Sequence, residues 1–270
     1  MRSAITICLV PEARQGPFVF HEGLAMGCRA AAELGFDAVE IFPGSAAEVP
    51  VDDVRQTVAA HGLSVAAVGT GAGWVKHRLQ LCDPDAATRA RACEFITAII
   101  DAAGDLGAPA IIGSMQGRTG EGVSHDTALA MLADALGMLG ERASHHGQPL
   151  LYEPLNRYET DLFTTQAKAA TFLELHALHD VKLLCDLFHM NIEEADPAAA
   201  LMAVGDRVGH VHWADSNRRA MGMGHTDPRP IVAALRSIGY TGFLSAEIFP
   251  LPTPLDAARQ SVESIRTFAS

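Results

Sequence analysis

The chain has 270 residues, 49% of them apolar, and a formal net charge of −12 at pH 7. That length suits one large domain, and the apolar fraction supplies a sizeable core. The acidic balance argues against nucleic acid or an anionic membrane as partner, since both reward clustered Lys and Arg.

The N-terminal apolar stretch is too short for a secretory signal and meets Pro11 and Glu12 at once. No run reaches the roughly 18–20 apolar residues that cross a bilayer. The five cysteines, Cys8, Cys28, Cys82, Cys93 and Cys185, form no CxxC pair. Scattered thiols in odd number fit a reducing cytoplasm better than a disulfide framework.

In chain order, short apolar runs at residues 4–9, 38–41, 64–68, 110–112, 149–152, 181–185, 208–212 and 243–246 read as eight β-strands. Amphipathic helical stretches separate them, clearest at 88–106, 127–146, 165–178 and 255–268. One device joins helix to strand: a Gly ends the helix, and an apolar run follows within a few residues. It occurs at Gly35, Gly62, Gly107, Gly147 and Gly239, where a left-handed glycine turns the chain back toward the sheet. Eight alternating units predict a single-domain (β/α)8 barrel over residues 1–270, with no linker or boundary inside it. Gly69-Thr-Gly-Ala-Gly73 follows the third strand but is not GxGxxG, so no NAD site is expected. Gly113-Ser-Met-Gln-Gly117 follows the fourth and offers a polar amide at the mouth.

Four residues stand at the ends of later strands: Glu153, Asp186, His212 and Glu247. In a parallel barrel these ends converge on one mouth. Three carboxylates and one imidazole there describe a site for Mn²⁺, Mg²⁺ or Co²⁺ rather than a structural zinc. Such an ion stabilises an enediolate formed from a chelated hydroxyketone. Glu153 and Glu247, from strands five and eight, form the acid/base pair. Proton removal on one face and return on the other epimerises the carbon; return to the neighbouring carbon isomerises aldose and ketose. His189 and Arg218 are donors to a developing oxyanion. Glu159 accepts from a sugar hydroxyl or pairs with Arg157. His210, Asp215 and Asn217 suit orientation of ligands or loop, and Glu40 suits either purpose.

Glu153-Pro-Leu-Asn-Arg-Tyr-Glu-Thr-Asp161, Asp186-Leu-Phe-His-Met-Asn-Ile-Glu-Glu194, Gly209-His-Val-His-Trp-Ala-Asp-Ser-Asn-Arg218 and Gly222-Met-Gly-His225 resemble the xylose-isomerase-like barrel superfamily. Within it they are most similar to the ketose 3-epimerase branch, with its D-tagatose, D-psicose and keto-sugar-acid epimerases. The resemblance implies Mn²⁺ or a similar ion on Glu153, Asp186, His212 and Glu247, and proton transfer by Glu153 and Glu247. It also implies substrate contacts from Glu159, His189 and Arg218, a small sugar as the binding partner, and a homodimer or tetramer. Aldose–ketose or hydroxypyruvate-type isomerases of the same superfamily are the alternative. A non-catalytic sugar-binding barrel, which would be expected to lose one of the paired glutamates, is a further one. An apurinic-site endonuclease would need more strand-end histidines and a basic surface. Met221 replaces the family's proline after Arg218, which implies a looser loop. Trp213 replaces a smaller apolar residue.

Overall fold

The computed structural model describes residues 1–120 and 122–269. Its strands are β1 (Arg2–Cys8), β2 (Ala38–Phe42), β3 (Ser64–Gly69), β4 (Ala110–Ile112), β5 (Leu150–Tyr152), β6 (Val181–Asp186), β7 (Val208–His212) and β8 (Phe243–Ala246). Between them run α1 (Leu24–Leu34), α2 (Val51–Ala60), α3 (Ala72–His77), α4 (Ala86–Asp105), α5 (His125–His145) and α6 (Gln166–Leu175). The later helices are α7 (Leu187–Glu193), α8 (Pro197–Val204), α9 (Pro228–Ser237) and α10 (Pro254–Ala269).

Each strand pairs in parallel with the next, and β8 closes on β1 from Arg2↔Phe243 to Ile5↔Ala246. The expected eight-stranded barrel is therefore present. β1 begins two residues earlier than its apolar run because Arg2 pairs opposite Phe243 and lays its guanidinium 3.9 Å from that ring's centroid. The five connecting glycines all take positive φ, between 67° and 83°, as the helix-to-strand device requires. α6 stops three residues short of the expected 178, because Ala177 turns left-handed (φ 51°) and Leu178 bonds back to the Leu173 carbonyl at 2.8 Å.

Two layers of side chains fill the molecule. Between strands and helices lie fully buried Ile96, Ile99, Leu132, Leu136 and Leu139. A smaller cluster of Ala4, Ala38, Ala66 and Phe243 lies on β1, β2, β3 and β8. Two residues farther along β1 and β2, on the same face, come Thr6 and Glu40. The three alanines below thus leave room for polar side chains above, and the polar level leads to the mouth. No described helix is long and apolar enough to cross a membrane.

Candidate active site

The polar level begins with Glu40, 2% exposed at the centre of three donors. Thr6 Oγ1 donates to its Oε1 at 3.0 Å, His210 Nε2 lies 2.8 Å from Oε2, and His212 Nε2 lies 3.2 Å from Oε1. The 210/212 spacing puts both imidazoles on one face of β7. The register also slips there: Leu183 faces Val208, and Leu184 faces His210, so Gly209 is the extra residue. A Cβ on Gly209 would come within 2.7 Å of Leu151 and Lys182, so the bulge that aims the histidines depends on glycine.

With Nε2 held by Glu40, His212 turns Nδ1 toward the mouth. There it meets Asp186 Oδ2 at 3.4 Å, Glu153 Oε1 at 3.6 Å and Glu247 Oε2 at 3.7 Å. All four strand-end residues therefore come together. Asp186 serves two directions from the end of β6: Oδ1 caps α7, accepting from Phe188 N at 2.7 Å and His189 N at 3.3 Å, while Oδ2 faces the site. Glu153 gains its position from β5 and from Gln116, whose amide donates to the Glu153 carbonyl at 2.9 Å. Gly113 lies against it; a Cβ there would sit 2.4 Å from Glu153 Oε2. Glu247 Oε2 is also held by Arg218 Nη2, and that nitrogen lies 3.4 Å from Asp186 Oδ2.

Arg218 has positive φ (56°), with its guanidinium 4.9 Å from the Phe188 ring centroid. A tied loop holds it there. Asp215 Oδ2 accepts from Gly222 N and Gly224 N, both at 2.8 Å, and its Oδ1 from Ser216 N and Thr226 N. Gln260 Nε2 donates to the Met221 carbonyl at 2.8 Å. Met221, at the position where a looser loop was expected, is fully buried, and these bonds tie the loop to Asp215 and Gln260. Trp213 is likewise fully buried, with its indole N–H donating to Ser264 Oγ at 2.9 Å. Asn217 bonds within the same loop, to the Met223 carbonyl and Arg219 N, and so serves the loop rather than a ligand.

His189 is 2% exposed, with Nε2 3.4 Å from Arg218 Nη1, 3.7 Å from Asp186 Oδ2 and 3.8 Å from Glu153 Oε1. Its Nδ1 faces Asn156. Glu159 sits at the rim, its side chain 45% exposed, accepting from Asn156 Nδ2 at 2.8 Å. Arg157 does not pair with Glu159; it grips Glu193 through Nε at 2.8 Å and its backbone N at 2.7 Å.

The electrostatics follow from burial and crowding. Burial, then the charges of Glu247 and Asp186, raise the Glu153 carboxyl to about 7 against the pull of His212. Burial also raises Glu247. For Asp186, burial raises the pKa, but His189, Arg218 and His212 together outweigh it and hold the carboxyl below its usual range. Burial lowers His189 to about 4, leaving it neutral. His212 goes the other way: burial opposes its charge, yet Glu40, Glu247, Asp186 and Glu153 raise it well above its ordinary value.

These groups floor a cavity of about 740 Å³. Its outer wall comes from the first half of the chain, with Phe18 and Phe42 stacked 4.8 Å apart and Trp74 beside them. Nothing in the sequence around these three residues marks them as lining. The part played by Glu40 and the place of Asn156 in the site likewise emerge only in the folded structure. Gln116, expected as an amide at the mouth, is instead fully buried, accepting from the Tyr152 hydroxyl at 2.6 Å.

A family model described as xylose isomerase-like TIM barrel matches residues 28–268. An L-ribulose 3-epimerase of Mesorhizobium japonicum is 32% identical over 222 residues, spanning 80% of this chain and 72% of that protein. A 3-dehydro-D-guloside 4-epimerase of Escherichia coli is 30% identical over 263 residues, 94% of this chain and 98% of that protein. Among solved structures, a 3-keto-D-glucoside 4-epimerase from E. coli aligns with a TM-score of 0.82 at 26% identity, covering 99% of this chain and 100% of that one.

Proposed function

The chain belongs to the xylose isomerase-like TIM barrel family, and from that membership we propose that it is a divalent-metal-dependent epimerase of a keto sugar. The carbon beside the ketone, C3 of a ketose or keto-sugar acid, is the one inverted. The observation that carries this reading is the pairing of Glu153 and Glu247. They come from β5 and β8, and both face His212 Nδ1, at 3.6 and 3.7 Å.

The residues fit a metal. Glu153 Oε1 is buried with no hydrogen-bond partner, and Glu153, Asp186 and His212 offer ligand atoms within 4.8 Å of one another. Oxygen-rich donors with one imidazole suit Mn²⁺, with Mg²⁺ or Co²⁺ as substitutes. Held by Glu153, Asp186, His212 and Glu247, the ion would supply Lewis-acid polarisation of the substrate's carbonyl and neighbouring hydroxyl.

The protein's own groups do the rest. One glutamate removes the proton beside the ketone and the other returns a proton to the opposite face. His189 Nε2 and the Arg218 guanidinium donate to the oxygen where negative charge grows. Glu159, at the rim, accepts from a sugar hydroxyl. An unphosphorylated sugar suits the site, because the amides of Gly222 and Gly224 already donate to Asp215. Five free, scattered cysteines support a cytoplasmic location. Exposed Tyr158, Leu251 and Leu255, on segments that follow β5 and β8, support self-association.

The test is Glu247→Gln under saturating metal. Epimerisation is expected to fall by about 10²–10⁴-fold while sugar binding persists; near-normal turnover would refute the two-base assignment. Exhaustive chelation should also abolish activity, with Mn²⁺ or Co²⁺ restoring it.

A further inference from the structure

We infer that Asn156 sets the proton position on His189, so that the imidazole presents Nε2–H, and not a lone pair, to the substrate. The inference deepens the epimerase reading and rests on it for the identity of the acceptor.

Every polar group of Asn156 is accounted for, and together they fix the direction of its amide. Its Oδ1 accepts from Tyr158 N at 3.0 Å. Its Nδ2 therefore carries the two hydrogens, one to Glu159 Oε1 at 2.8 Å and the other to His189 Nδ1 at 2.7 Å. The opposite amide orientation would set oxygen against the Glu159 carboxylate and nitrogen against the Tyr158 N–H. The backbone N of Asn156 also lies 3.3 Å from the same Nδ1. Two N–H groups aimed at one ring nitrogen require that nitrogen to be an acceptor.

A neutral imidazole with Nδ1 as acceptor must carry its proton on Nε2. That nitrogen is the one turned toward the cavity, 3.4 Å from Arg218 Nη1. Arg218 Nη1 is itself directed at Nε2, one donor at 3.4 Å against the two, at 2.7 and 3.3 Å, on Nδ1. With the proton on Nε2 that contact is no hydrogen bond, and both N–H groups are left for an acceptor beside Asp186 Oδ2 and Glu153 Oε1, which lie 3.7 and 3.8 Å from Nε2. An oxygen gaining charge there meets two N–H donors left without a partner, with no proton to relocate first. Both Asn156 and His189 are 2% exposed, so water has little access to exchange their roles. Asn156 is a positioning residue: it acts on the reaction through His189. Its bond to Glu159 couples the rim carboxylate to the same amide.

The tautomer is readable directly. ¹⁵N NMR of the histidine side chains in the Mg²⁺-loaded protein, assigned by the signals lost in His189→Gln, should show His189 with Nε2 protonated and Nδ1 bare. A protonated Nδ1 in the unaltered protein would overturn the inference without any variant being made. In Asn156→Asp, a carboxylate replaces the donor, and the Nδ1 signal should move to the protonated range. An Nδ1 that stays bare in that variant would remove Asn156 from control of the proton. With a keto sugar that the unaltered enzyme turns over, Asn156→Asp should lower kcat by about 10–100-fold with KM little changed. A purely structural role would leave the tautomer unmoved. If no keto sugar is turned over by the unaltered protein, the epimerase reading fails while the NMR result still decides the tautomer.

Discussion

At the residue scale, position matters more than identity. His212 can offer Nδ1 to the mouth only because Glu40 holds Nε2; an oriented imidazole of this kind binds metal more tightly than a free one. Glu40→Gln should therefore weaken divalent-ion affinity by about 10–100-fold, measured by calorimetry, with the fold retained. Gly113 makes a comparable demand. An added methyl would sit 2.4 Å from Glu153 Oε2, so Gly113→Ala should displace the carboxylate and cut kcat by about 10²-fold. Unchanged kcat in steady-state assays would show that Glu153 has slack. The four strand-end residues were legible because each follows an apolar run with a charged residue that needs a reason to be there. Glu40 was not, because its partners His210 and His212 lie 170 and 172 residues away and only barrel closure brings them near. The alternative that Glu159 pairs with Arg157 fails for a similar reason: sequence nearness suggests it, whereas α7 delivers Glu193 to Arg157.

At the element scale, caps and bulges decide where side chains point. Asp85 Oδ2 caps α4, accepting from Thr88 N at 2.9 Å and Thr88 Oγ1 at 2.8 Å. Asp85→Ala should destabilise the fold through the lost cap, seen as a lower urea midpoint with turnover intact. Asp186 is a cap with a second task, since its Oδ1 closes the start of α7 and so presents His189. Long helices were legible to within two or three residues, because amphipathic periodicity accumulates over several turns. α3 and α7 were not, since six or seven residues carry too little periodicity and the packing of the mouth determines them.

At the scale of the molecule, the barrel count was readable because eight apolar runs alternate with helical stretches, and five of the helix-to-strand connections repeat the same glycine turn. The outer wall of the cavity was not, because Phe18 in a loop, Phe42 at the end of β2 and Trp74 in α3 belong to separate segments that meet only in three dimensions. The converging charge has a consequence for stability. The Glu153 carboxyl, raised to about 7 chiefly by burial, is above its ordinary 4.5. For a carboxyl raised on folding, stability is greatest below the unfolded value and declines as pH climbs toward the folded one. Chelator-treated protein should lose stability from this group between pH 4.5 and about 7. A divalent ion that binds the ionised form reverses the loss. The melting-temperature gain from Mg²⁺ should thus be larger at about pH 8 than at pH 5.5. An equal gain at both would mean that no proton competes with the ion.

The most direct test is deuterium exchange. The Mn²⁺-loaded protein would be incubated in D₂O with ketohexoses, ketopentoses, keto-sugar acids and hydroxypyruvate, freed of metal, and followed by proton NMR. Expected is loss of the C3–H signal of one keto sugar together with appearance of its C3 epimer. Exchange at C1 or C2 with aldose formation, or no exchange in any compound, would contradict epimerisation by Glu153 and Glu247.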